Sequence, residues 1–241
     1  MRMIITRDSE ELARRGAEFV AEVARGAIAA RGRALLAFSG GSTPGAMLRA
    51  LSSVALDWSA VHVFQVDERI VPAGSPDRNF AGLKSDLLDR VPIPPQNVHP
   101  IPVEEAQPQL AADRYEVLLA RLAGADTRLD FIHLGLGEDG HTASLVPGDG
   151  ALGITQRHVA VTAPYHGFRR VTLTFAALNA ARARLFLVSG ADKAVMLVRL
   201  AGADRTIPAG LIDRENTAVL SDAAAARLLP EATGGGYATG T

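Results

Sequence analysis

Short, mostly apolar runs alternate along this chain with longer stretches in which apolar residues recur every three or four positions. Ala34 to Phe38, Val61 to Val66, Leu129 to Leu134, His158 to Thr162, Arg184 to Val188 and Thr217 to Leu220 have the length and character of strands. Several are apolar throughout, as expected when helices cover both faces of a sheet. Arg170 to Thr174 instead alternates, which places it nearer an edge. The longer stretches predict helices over Asp8 to Arg31, Thr43 to Leu51, Asn79 to Asp89, Glu105 to Leu122, Ala191 to Leu200 and Ala223 to Leu229. Asp8 or Ser9 can cap the first, and Pro44 suits the first turn of the second. The β-α-β-α order predicts an α/β fold with a largely parallel, Rossmann-like sheet flanked by helices.

No internal repeat or flexible tether interrupts this order. The proline-rich segment Val91 to Pro102 reads as a long surface connection. A single α/β domain over residues 1–233 is expected, and the small, glycine-rich stretch 234–241 reads as a flexible tail. Hydrophobic residues make up 48% of the 241 and charged residues 21%, enough for a substantial core. The net charge of -1 and the lack of a basic block argue against nucleic-acid or membrane-surface binding through bulk charge. With no cysteine, disulfides, thiolate catalysis and cysteine-ligated zinc are excluded, and a cytosolic (cytoplasmic) setting fits. Met1 to Thr6 turns polar at once, unlike a signal peptide, and no run approaches the ~20 apolar residues of a membrane span.

Four places carry candidate chemistry. Ser39-Gly40-Gly41-Ser42-Thr43-Pro44 follows a strand and opens a helix, where free N–H groups and the helix dipole favour anions. Gly40 and Gly41 allow close approach, and Ser42 and Thr43 add hydroxyl donors. The reading is a phosphate cradle; the competing one is a plain turn with a helix cap. It is neither a Walker loop nor a nucleophile elbow, because no Gly-Lys-Ser/Thr follows and Pro44 stands where the elbow needs glycine. Asp67-Glu68-Arg69 ends another strand and could orient water, a hydroxyl or a carbonyl oxygen, or simply form a surface salt-bridge turn.

Gly135 to Ser144 contains a literal G-x-G-x-x-G. It lies mid-chain, no acid follows at ~20 positions, and Glu138, Asp139 and His141 crowd the loop, so dinucleotide binding is disfavoured. Acid-base chemistry by His141, oriented by Asp139, is the better reading. No third ligand is spaced to complete a metal site with this pair. His62, His99, His133, His158 and His166 lack a comparable setting and are read as structural. Finally, Arg169, Arg170 and Lys193 lie at strand ends. Lys193 near a helix start opposes the dipole, which a bound anion would explain, as would plain solvation.

In order, these segments resemble the 6-phosphogluconolactonases of the oxidative pentose phosphate pathway. The residues that carry the resemblance are Ser39 to Pro44, Val66-Asp67-Glu68-Arg69, Gly137 to Leu145, Arg170-Val171-Thr172-Leu173-Thr174, and Ser189-Gly190 with Lys193. They span nearly the whole chain; each alone is weak, and the ordered set is specific. The resemblance implies the fold shared with glucosamine-6-phosphate isomerase/deaminases, and hydrolysis of 6-phospho-D-glucono-1,5-lactone to 6-phospho-D-gluconate, the second step of that pathway. It implies a phosphorylated sugar lactone as the small-molecule partner and no cofactor. Gly41, Ser42, Thr43, Arg170 and Lys193 would hold the phosphate. His141 would be the general acid/base, Asp139 its orienter, and Arg69 the stabiliser of the carbonyl oxygen. Asp67 would position Arg69 or a sugar hydroxyl. A monomer or weak homo-oligomer is expected.

The deaminases carry Asn-Glu-Pro after the histidine, whereas this chain has Leu145-Val146-Pro147, and Val146 cannot relay a proton. Arg69 also stands where deaminases usually have tyrosine. The alternatives are a deaminase-type isomerase and a non-catalytic sugar-phosphate sensor. Two residues depart from the lactonase pattern. Val146 replaces a common phenylalanine. Arg78 replaces serine in Asp77-Arg78-Asn79, either adding positive charge near the substrate or facing solvent.

Overall fold

A computed structural model describes residues 1–105, 107–230 and the backbone of 237–239. Its strands are β1 (Arg2–Thr6), β2 (Ala34–Phe38), β3 (Val61–Gln65), β4 (Asp67–Arg69), β5 (Val98–His99), β6 (Phe131–Leu134), β7 (Val159–Val161), β8 (Arg170–Leu173), β9 (Arg184–Val188), β10 (Thr217–Asp222) and β11 (Tyr237–Thr239). Its α-helices are α1 (Ser9–Arg31), α2 (Ser42–Ser52), α3 (Asn79–Asp86), α4 (Pro108–Ala123), α5 (Phe175–Ala180), α6 (Ala194–Ala201) and α7 (Ala223–Ala226).

Eight strands form one parallel sheet in the order β11-β1-β10-β9-β6-β2-β3-β5. Helices pack on both faces, so β2 is buried at every position. Its side chains alternate between two clusters: Leu35 and Ala37 face one, Leu36 and Phe38 face the other with α1 and α2. The predicted α/β fold is therefore observed. Tyr237–Thr239, inside the expected tail, pairs with β1; the rest of 234–241 lies outside the described residues. No described helix is long and apolar enough to cross a membrane.

Two expectations are corrected. The segment Val91 to Pro102 is more than a surface connection: it holds β5, which pairs with β3, and His99 and Ile101 are buried. Arg170–Leu173 is not near an edge of the main sheet. It is the central strand of a second, antiparallel sheet, β4-β8-β7. Its polar residues Arg170 and Thr172 are buried: Arg170 lines the functional cleft, and Thr172 lies opposite Asp67 of β4 and accepts from the Ser144 N–H. Alternation reported two different surroundings, not solvent. Asp8 does cap α1, accepting from the Glu11 N–H at 2.8 Å.

His133, read as structural, shares a face of β6 with Phe131 and lies opposite Leu185 of β9. It is fully buried, and neither ring nitrogen has a partner among the described residues. Burial pushes its pKa down to about 3. His99, buried beside His62, is pushed down to about 4. Below the unfolded value of about 6.5 the unfolded chain binds protons that the native His133 refuses, so stability must fall as pH drops from there toward 3. His133 alone accounts for roughly 2 kcal/mol of that loss by pH 5. His133→Leu should flatten the pH dependence of the urea midpoint over this window, leaving the His99 contribution. An unchanged slope would show that His133 titrates normally.

Candidate active site

The chain leaves β2 toward β3 and β5, then returns to place β6 on the other side of β2. This reversal opens a crevice at the carboxyl ends of the strands, where open α/β sheets bind ligands. A cleft of about 700 Å³ lies there. Every site residue that the resemblance implies lines it: Gly41, Ser42 and Thr43 after β2, Asp67 and Arg69 in β4, Asp139 and His141 after β6, Arg170 in β8, and Lys193 after β9. Arg169 does not; it reaches the Thr162 carbonyl instead.

The loop after β2 is shaped by contact. A Cβ on Gly40 would fall 2.3 Å from Asn79 Oδ1, so α3 packs where only glycine fits. Gly41 caps α2 without any side-chain hydrogen bond, leaving the N–H groups of its first turn at the cleft. Ser39 Oγ donates to the His133 carbonyl at 3.0 Å and ties the loop to β6.

His141 follows from its own loop. Its backbone N–H donates to Asp139 Oδ1 at 3.0 Å, and its ring Nδ1 lies 2.6 Å from the same oxygen. The ring packs so closely on Gly137 that a Cβ there would lie 2.1 Å from Nδ1. Burial opposes ionisation of Asp139. The His141 amide and ring and the Tyr165 hydroxyl outweigh it and hold the carboxyl below its ordinary value. An ionised carboxylate only accepts, so Nδ1 must carry the proton. In the neutral ring the lone pair is then on Nε2, and no protein hydrogen bond engages that nitrogen among the described residues. That is the geometry of a general base facing a cleft.

Asp67 does not position Arg69. Its Oδ2 accepts from Ser144 Oγ at 2.6 Å, while the Arg69 guanidinium runs the other way and donates to the Asp77 carbonyl at 3.0 Å. Pairing of β4 with β8 places Asp67 opposite Thr172, whose hydroxyl also takes the Ser144 N–H. Burial pushes the Asp67 carboxyl up, aided by Glu68 and partly offset by the Ser144 hydroxyl. Arg170 is buried and donates to the Tyr165 and Phe168 carbonyls through Nη1. Lys193 pairs with Asp192 at 3.1 Å and Glu138 at 3.4 Å, both partly or largely exposed.

Arg78 neither lines the cleft nor faces solvent. Its side chain is buried against Glu68 and pairs with Glu104. Sequence reasoning also passed over Ser144, Tyr165 and His166, all of which line the cleft. Ser144 stood inside the singled-out motif without a role. His166-Gly167 is a tight-turn signal between two strands, and the turn carries its flanking residues into the site. No described group of three or more His, Cys, Asp or Glu residues could hold a metal ion.

An acid-base couple, a glycine loop at a helix start and three cationic side chains around one crevice define a site for an anionic small molecule. The chain belongs to the family of glucosamine-6-phosphate isomerases and 6-phosphogluconolactonases, whose model matches residues 7–221. It is 44% identical to the 6-phosphogluconolactonase of Synechocystis over 69% of this chain and 71% of that one. Identity with the 6-phosphogluconolactonase of Mycobacterium tuberculosis is 41%, over 85% of this chain and 88% of that one. The crystal structure of 6-phosphogluconolactonase from Thermotoga maritima superposes with a TM-score of 0.81 at 28% identity, covering 92% of this chain and 98% of that one.

Proposed function

We propose that this chain is a lactonase acting on 6-phospho-D-glucono-1,5-lactone. The observation that carries the reading is the couple Asp139–His141 with Nε2 free, in a cleft where Val146 forms wall rather than a proton relay. The named relatives support the substrate. His141 takes a proton from water as the oxygen attacks C1. The tetrahedral intermediate collapses, the bond from C1 to the ring oxygen breaks, and His141 returns the proton to that oxygen. Arg69 stabilises the charge that develops on the carbonyl oxygen, and Asp67, held by Ser144, orients a sugar hydroxyl. Gly41, Ser42, Thr43, Arg170 and Lys193 hold the phosphate, which fixes the ring for attack. Every step is served by side chains of this chain. The protein works in the cytoplasm as one α/β domain whose sheet also takes in Tyr237–Thr239, a monomer or weak homo-oligomer.

The test is hydrolysis of freshly generated 6-phosphogluconolactone, corrected for the spontaneous rate. Acceleration supports the reading. Ammonia release from glucosamine 6-phosphate without lactone turnover would replace it with the deaminase reaction, and binding of 6-phosphogluconate without turnover with a sensor. Lys193→Ala should raise KM for the phosphorylated lactone roughly tenfold, as expected for one charge-assisted contact, and leave unphosphorylated gluconolactone unaffected. Equal losses on both substrates would remove Lys193 from phosphate binding.

A further inference from the structure

Asp139 has two oxygens, and the lactonase reading uses only one. Oδ1 receives both the backbone N–H and Nδ1 of His141. Oδ2 receives the phenolic hydroxyl of Tyr165 at 3.0 Å. Tyr165 comes from a different part of the chain, between β7 and β8, and is held there firmly. His166 and Gly167 both have positive φ, 47° and 81°, the signature of a type I′ turn. Tyr165 and Phe168 exchange backbone hydrogen bonds of 2.9 and 3.2 Å across it. The buried Arg170 then clamps the hairpin, donating to the Tyr165 carbonyl at 2.5 Å and the Phe168 carbonyl at 3.0 Å. Its guanidinium lies 5.3 Å from the Tyr165 ring centre. The Tyr165 ring meets the His141 ring edge-on at 5.5 Å.

We propose that Tyr165 is a positioning residue of the lactonase: its hydroxyl locks the Asp139 carboxylate, and through it the tautomer, orientation and basicity of His141. The inference rests on the lactonase reading for its kinetic consequence, but not for its structural one. Asp139 is partly exposed, and without the second anchor its carboxylate can turn away from the ring. The phenol stays a donor, because burial and the bond to Asp139 both raise its pKa. The other groups facing the couple are Glu138 on the same loop, Asp67 in β4, Arg170 in β8, Lys193 after β9, and His166 against the Tyr165 ring. Tyr165→Phe leaves all of them in place.

Tyr165→Phe should lower kcat roughly tenfold, the size of one charge-assisted hydrogen bond, with little change in KM. The acid limb of the kcat/KM profile should move to lower pH, because a carboxylate that turns away no longer supports the imidazolium. In an Asp139→Asn background the same substitution should cost almost nothing, since its route is gone. An equal loss in both backgrounds, or an unmoved acid limb, overturns the proposal and makes Tyr165 a packing residue. Independently of turnover, nitrogen NMR of His141, assigned by comparison with His141→Gln, should show Nδ1–H predominating in the parent. Tyr165→Phe should mix the tautomers; identical spectra would overturn the proposal. Failure of the lactonase reading appears separately, as a parent protein that does not accelerate lactone hydrolysis.

Discussion

His141→Ala should lower kcat for lactone hydrolysis by about 10²–10⁴-fold, the usual contribution of a positioned acid-base group. The reaction needs one group that removes a proton from water and delivers it to the ring oxygen. His141 is held for this by two contacts to one carboxylate oxygen and by close packing on Gly137. KM should change little, because the residues proposed to hold the phosphate lie on other elements, the loop after β2, β8 and the turn after β9. The melting temperature should also hold, since the His141 side chain is partly exposed and its ring makes one hydrogen bond. Stopped-flow assays corrected for spontaneous hydrolysis measure the effect. A kcat within twofold of the parent would take His141 out of the chemistry.

Glu68→Ala should destabilise the fold by about 3–5 kcal/mol, the range for removing one partner of a buried ion pair. Glu68 is fully buried. Its carboxylate receives the N–H groups of Arg69, Asn79 and Phe80 at 2.7–2.8 Å, and the Gln65 side-chain amide at 2.8 Å. Arg78 Nε approaches it at 3.2 Å. Helix α3 has no side-chain cap of its own, so Glu68 reaches from β4 to serve as one. Alanine would leave those donors unpaired and Arg78 buried with only Glu104, which is half exposed. The melting temperature should fall by roughly 6–20 °C for a chain of this size. Activity should fall with it, because Asn79 packs against the loop after β2 and Arg69 lines the cleft. A shift below 2 °C would mean that water, not Glu68, satisfies these groups.

This ion pair marks the boundary of what the sequence reveals. Arg78 stood out as a departure from the family pattern, but its two readings, a charge near the substrate or a solvated side chain, both missed its burial against Glu68. The hydrophobic runs were sufficient to show β2, β3, β6, β9 and β10 of the main sheet, because strands covered on both sides exclude polar residues; β1, β5 and β11 escaped them. They did not separate β7 and β8 from that sheet, because Arg170 at the cleft and Thr172, which accepts from the Ser144 N–H, alternate with Val171 and Leu173 without meeting solvent. The loop Ser39 to Pro44 and the step Asp139-Gly140-His141 were legible because each acts over a few adjacent residues.

By itself, the sequence determined the α/β class, the family, the glycine loop at a helix start, and the histidine with its neighbouring carboxylate. All of these depend on local spacing or on runs of one polarity. Only the tertiary structure decided which groups meet across the chain. Ser144 bonds to Asp67, Tyr165 to the far oxygen of Asp139, and Arg170 clamps the hairpin that carries Tyr165. The physical reason is that a hydrogen bond acts over about 3 Å of space, whatever the separation along the chain. Strand order and the antiparallel sheet set those distances, and no short stretch of residues encodes either.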